Sequence, residues 1–167
     1  MADTSTAWAD STLAIMAEGW AAYQEQLIAA LAPLDAEQLD LRVTPGLRSI
    51  REIATHLVRV RASWFKGALG VGDDAFAAIQ GWQQPDAPQR TAAELVEGLR
   101  ATWAVMEQAM RGWSPADLAV TVTGHYRGEE FSYVRGWVVW HVIEHDTHHG
   151  GEISYALGMH GLPGVDI

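Results

Sequence analysis

From Trp137 to Gly158 the chain reads WVVWHVIEHDTHHGGEISYALG. Each residue of a helix turns by about 100°, so His141, His145 and His149, spaced by four, lie nearly above one another. Val134, Val138 and Ala156 share their face, with Ile153 at its edge. An apolar face above and below the histidines predicts a helix from near Ser132 to about Met159 whose histidine stripe points inward. Gly150 and Gly151 each cost about 1 kcal/mol relative to Ala inside a helix. Because the apolar pattern resumes at Ile153, Ala156 and Leu157, the helix is expected to continue, with another backbone packed closely at the glycines. The run Trp137 to Trp140 is apolar almost all round, which fits deep burial or a subunit contact, and a homodimer through this helix is the expectation.

Three further segments carry the same period. Leu13, Met16, Trp20, Tyr23, Leu27 and Leu31 mark a helix from about Ser11 to Ala32, followed by Pro33. Ser49 and Glu52 have capping-box spacing and open a second, with Ile53, Leu57, Val60 and Trp64 on its stripe and an end near Gly67 to Gly72. Thr91 and Glu94 open a third, through Leu95, Leu99, Trp103, Met106 and Met110 to about Arg111, stopped by Gly112 and then Pro115. Between them lie a short helical turn around Asp35 to Leu39 and a long connection from Gly70 to Arg90 with one turn near Asp74 to Ile79. Such a connection is a functional rim or an extra element. The stretch from Leu118 to Phe131 is irregular or hairpin-like. Four long helices without a strand array predict an all-α protein, one domain over residues 1–167.

Charge and composition narrow the function. The chain has 11 Lys plus Arg against 21 Asp plus Glu, a formal charge of -10, with no cluster of arginines; nucleic acid and anionic membranes are therefore unexpected partners. It has no cysteine, so disulfides, thiolate metal sites and a catalytic thiol are excluded, and any metal must be held by His and carboxylate. No run reaches the roughly 18 apolar residues of a membrane span. The opening MADTSTAWADST lacks a basic stretch followed by an apolar run, so a cytoplasmic protein is expected.

The seven histidines are unevenly placed: four fall between His141 and His149, and His56 alone lies within the first 124 residues. One imidazole on an inward face is ordinarily a hydrogen-bonded core residue. Several must each find partners for two ring nitrogens or incur roughly 1 to 3 kcal/mol of burial cost, and a metal ion satisfies them together. A pair at i and i+4 has the geometry to chelate one ion such as Zn²⁺. His56, between Ile53 and Val60 on the second stripe, is the candidate third ligand. Three neutral imidazoles leave the ion its full charge and an open position. Glu152, one turn beyond His148, fits a fourth ligand, a partner of a ligand, a general base or a solvated carboxylate. His141-Val-Ile-Glu-His145 also matches the H-x-x-E-H pattern of inverted zinc peptidases, but that class needs a further ligand well downstream, and the sequence ends at Ile167. Trp64, Trp103, Trp137 and Trp140 are core or pocket residues, and His125, Tyr126 and Arg127 are candidates for a pocket mouth.

The run WHVIEHDTHHGGEISYALGMHG, with SIREIATHLVRVRASWF about 90 residues earlier, resembles the DinB/YfiT-like superfamily over essentially the whole chain. The resemblance implies a four-helix bundle with up-down-down-up connectivity, commonly dimeric. It further implies one divalent metal ion per chain, zinc or nickel, held by three histidines that fall on His56, His145 and His149. His141 and His148 then become pocket or ligand-orienting neighbours, and Glu152 is the candidate catalytic residue. Many relatives have Arg, Gly and Gln where this chain has Gly150, Gly151 and Glu152. Relatives that use low-molecular-weight thiols imply a metal-dependent thiol S-transferase acting on a small-molecule substrate, with the sulfur arriving on the cosubstrate because this chain has no Cys. A metal-dependent hydrolase and a non-catalytic, stress-associated metal-binding bundle are the alternatives.

Overall fold

Side-chain oxygens start most of the helices, where four backbone N–H groups would otherwise lack acceptors. The computed structural model describes Trp8, residues 11–126 and residues 128–166. Ser11 caps α1 (Thr12–Leu31) by accepting from the Ala14 amide. Asp35 with Gln38 caps the single turn α2 (Ala36–Leu39). The two capping boxes expected from sequence are present, Ser49 with Glu52 on α3 (Ile50–Ala62) and Thr91 with Glu94 on α5 (Ala92–Arg111). The connection between them is ordered as α4 (Asp74–Ala78), capped by Asp73, and a 3₁₀ segment, Ile79–Gln83, that packs on α3. Ser114 and Asp117 cap α6 (Pro115–Leu118).

The stretch after α6 is a two-stranded antiparallel hairpin, β1 (Thr121–Tyr126) with β2 (Glu129–Val134), in which Thr121 faces Val134 and Gly124 faces Phe131. The last helix, α7 (Arg135–Met159), leaves β2 without a side-chain cap. It therefore starts three residues later than the sequence suggests, because Ser132 is paired with Thr123 in the hairpin. Val134 lies outside the helix and is 44% exposed, so it does not belong to the inward face.

The four long helices pack in a closed ring: α3 touches α7 and α5, and α1 touches α5 and α7. Leu27 and Leu31 of α1, Leu57 of α3, Leu99 and Met106 of α5, and Val142 and Ile153 of α7 are all 0% exposed at its centre. Each such side chain contributes roughly 1.5 to 3 kcal/mol when removed from water. The buried stripe of α7 runs through Val138, Val142, Asp146, His149, Ile153 and Leu157, with Ala156 beside it. His141 and His145 are half-buried on its flank, rather than on its centre as the four-residue spacing suggested.

α7 runs unbroken through Gly150 and Gly151. A Cβ on Gly150 would lie 2.0 Å from the Tyr23 hydroxyl, so the close neighbour is a side chain of α1 and not another backbone. A Cβ on Gly151 would meet nothing within 4 Å. Trp140, at the start of α7, is 52% exposed, while Val138 and Val139 are buried.

Candidate metal centre

α3 and α7 lie side by side and bring their histidines together. His145 Nε2 and His56 Nε2 face each other at 3.0 Å. Together with one ring nitrogen of His149 they form a set of three whose atoms all lie within 4.8 Å. The ring centroids of His56 stand 4.9 Å from His145 and 5.0 Å from His149.

Two of the three rings are fixed from behind. His56 Nδ1 is 3.0 Å from Gln83 Oε1, and an amide oxygen only accepts, so Nδ1 carries the proton and Nε2 the lone pair. His149 Nδ1 is 2.5 Å from Glu152 Oε2, which orients that ring in the same sense. Glu152 Oε1 also lies 3.5 Å from His148 Nε2, on a side chain 66% exposed. His148 is thus on the outer surface, where it reaches Glu152 and packs edge-on against His149 with ring centroids 4.9 Å apart. Gln83 was not legible as a site residue; it comes from the long connection, which carried only the general expectation of a rim.

Burial, and after it the neighbouring imidazoles led by His149, hold the His145 pKa down to about 2, so the ring is neutral at pH 7. The His56 pKa is also lowered, chiefly by burial, with the Gln83 hydrogen bond opposing and Arg48, His149 and Arg59 adding to the shift. Neutral rings are the protonation state that ligates. The remaining nitrogen of His145, Nδ1, is buried without a hydrogen-bond partner. Ligands each about 2.0 to 2.1 Å from a tetrahedral ion stand roughly 3.3 Å apart. The 3.0 Å spacing of the two facing nitrogens is near that value, and an all-imidazole donor set suits zinc or nickel. The residues fit a divalent ion.

Beside the triad is a cavity of about 450 Å³, bordered by His56, His145, His141, Trp64, Phe131 and Arg59, a size typical of small-molecule sites. The aromatic residues of its wall, Trp64, Phe131 and His141, are backed by further rings. Tyr133 of β2 stacks on Trp137 with centroids 3.9 Å apart, Trp137 stacks on His141 at 4.9 Å, and Trp64 meets His141 edge-on at 4.9 Å. Trp64 reaches this wall from a π-helical segment, Ser63–Ala68, that continues α3, and Ser63, Gly67 and Ala68 of the same segment border the cavity. Such widened turns are often found at functional sites. Trp103 is instead a core residue, edge-on to Trp20 at 5.1 Å. His125 of β1 also lines the cavity; Arg127 and the Tyr126 side chain lie outside the described residues. His141 stands on the cavity wall outside the triad, and Glu144 is an outward carboxylate 3.7 Å from His141 Nδ1, which does not reproduce the peptidase arrangement.

A family model of the DinB superfamily matches residues 20–153. Similar solved structures include a DinB-like protein from Bacillus cereus ATCC 10987, 19% identical with a TM-score of 0.67, over 90% of this chain and 93% of that one. A protein assigned to the DinB family from Exiguobacterium sibiricum 255-15 is 19% identical with a TM-score of 0.65, again over 90% and 93%. A conserved protein from Enterococcus faecalis is 13% identical with a TM-score of 0.66, over 87% and 95%. At these identities the likeness is one of fold. No curated protein matches the sequence. No helix among the described residues is long and apolar enough to cross a membrane.

Proposed function

Because the chain belongs to the DinB superfamily, we propose that it is a metal-dependent thiol S-transferase, with His56, His145 and His149 holding one divalent ion, zinc or nickel. The fold is read as one domain over residues 1–167, a four-helix bundle of up-down-down-up connectivity that pairs as a homodimer in the cytoplasm. The closed ring of α1, α5, α3 and α7 supports the bundle. The observation that carries the function is the facing pair of Nε2 atoms, 3.0 Å apart, beside a cavity of about 450 Å³.

A bound ion would supply Lewis acidity and an open position, lowering the pKa of a thiol held there. The chain's own residues do the rest. Gln83 and Glu152 keep the lone pairs of His56 and His149 turned inward. Trp64 and Phe131, which border the cavity, limit water around the reacting sulfur. His141, on the cavity wall, takes the thiol proton as the new C–S bond forms and the acceptor's leaving group departs. Of the roles open to Glu152, positioning His149 fits its 2.5 Å contact better than acting as a base. That commitment also places hydrolysis second. A cavity bordered by two of the three ligands favours chemistry over a purely structural ion.

The test is spectroscopic. Cobalt-substituted protein titrated with a low-molecular-weight thiol should develop sulfur-to-cobalt absorption in the near ultraviolet, absent in His145→Ala. A cobalt spectrum indifferent to thiols, combined with hydrolysis of activated esters, would contradict the transferase reading.

A further inference from the structure

Arg59 lies three residues after His56 on α3, on the same side of the helix one turn along, and lines the cavity. Arg42, Arg51, Arg61, Arg90, Arg111 and Arg135 each have a carboxylate at 3.9 Å or less. Arg59 pairs with no carboxylate among the described residues, and its Nε is buried without a hydrogen-bond partner. No Asp or Glu borders the cavity, although the chain carries 21 of them. In a protein of net charge -10, the space beside the triad is therefore locally cationic.

A guanidinium that borders a cavity and has no carboxylate of its own is matched by a planar anion, which it can bind through parallel N–H donors. The cavity offers one guanidinium, no lysine and the Ser63 side chain, which suits a monoanion better than a phosphate dianion. Trp64 and Phe131, with centroids 6.0 Å apart, present apolar faces to the remainder of a ligand.

We infer that Arg59 anchors a ligand carboxylate, and that the cavity takes a small carboxylic acid with an apolar or aromatic body whose far end lies toward His56 and His145. The placement of that far end rests on the proposed metal site; the anchoring does not. The carboxylate belongs either to the thiol or to the acceptor, and both present the same group to Arg59.

The experiment is a calorimetric titration of the zinc-supplemented chain with 3-phenylpropanoate, 3-phenylpropanamide, 3-mercaptopropanoate and 2-mercaptoethanol. At least one acid should bind about 10-fold tighter or more than its neutral counterpart, the value of a charge-assisted pair. In Arg59→Gln that preference should vanish while neutral-probe binding persists, and Arg59→Lys should keep part of it. A preference confined to 3-mercaptopropanoate places the carboxylate on the thiol, and one confined to 3-phenylpropanoate places it on the acceptor. In His145→Ala, 3-phenylpropanoate binding should remain dependent on Arg59 even if metal is lost, so failure of the metal site is read separately. Equal binding of acids and neutral probes by the native chain, no binding of either acid, or an acid preference unchanged in Arg59→Gln would overturn the inference. Should Arg59→Gln fail to fold, the acid-to-neutral ratio of the native chain and its reduction in Arg59→Lys decide the matter.

Discussion

Arg61 Nη2 lies 2.6 Å from Asp146 Oδ2, and both side chains are 0% exposed. The same carboxylate oxygen accepts from Arg61 Nε at 2.8 Å and from Trp20 Nε1 at 2.7 Å, while Arg61 Nη1 donates to Gln24 at 2.6 Å. One charged pair thus ties α1, α3 and α7 together directly beside His145. Removing one partner of a buried pair leaves the other uncompensated, at about 3 to 5 kcal/mol. Asp146→Ala should lose that much stability in urea unfolding, whereas Arg61→Met with Asp146→Leu should recover most of it. A loss below 1 kcal/mol in the single variant would contradict this account.

The two adjacent glycines of α7 should behave oppositely. Gly150→Ala forces a methyl against the Tyr23 hydroxyl and should destabilise the fold by about 1 to 3 kcal/mol. Gly151→Ala meets nothing within 4 Å and should stabilise it by about 1 kcal/mol through helix propensity. Thermal unfolding of the two variants side by side reads the difference.

Gln83 and Glu152 each hold a ligand from behind through its Nδ1. Partners of this kind are typically worth 10- to 100-fold in metal affinity. Gln83→Ala and Glu152→Ala should weaken zinc by about that factor in chelator competition, while His148→Ala, on an exposed side chain, should change it little.

Acid should loosen the fold through its paired carboxylates. Arg51 holds the Asp40 carboxyl below its ordinary range, Arg42 does the same for Glu52, and the Thr91 backbone amide does so for Glu94. A lowered folded pKa means stability that is complete above the unfolded value, about 4, and is lost as pH falls through the lower one. The melting temperature should therefore drop from about pH 4 downward, less steeply in Glu94→Gln. These groups are solvent-exposed, so the slope should be shallow.

The long helices and two of their capping boxes were legible because each rests on local spacing: the Ser49 and Thr91 boxes need only a residue three positions on. Spacing alone left the ligands open among His141, His145, His148 and His149, and the choice of His56, His145 and His149 came from the family resemblance; these three are the ones whose ring nitrogens converge. Asp146 was not read, although it shares the period of Val142, His149 and Ile153, because its partner Arg61 lies 85 residues away. Gln83 and Arg59 escaped for the same reason. An amide in a 3₁₀ turn and an arginine on a helix look solvent-facing until packing shows what they border. The later start of α7 reflects the hairpin, whose register competes with helix at Ser132.

Whether three histidines hold an ion is read from the metal content of the chain. The untagged native chain and His145→Ala would be purified without added metal and measured by elemental mass spectrometry, then again after incubation with zinc or nickel. About one divalent ion per native chain, absent from the variant, is the predicted result. A native chain that carries no metal and takes up neither ion would contradict the account, and the triad would then be a hydrogen-bonded set of neutral imidazoles.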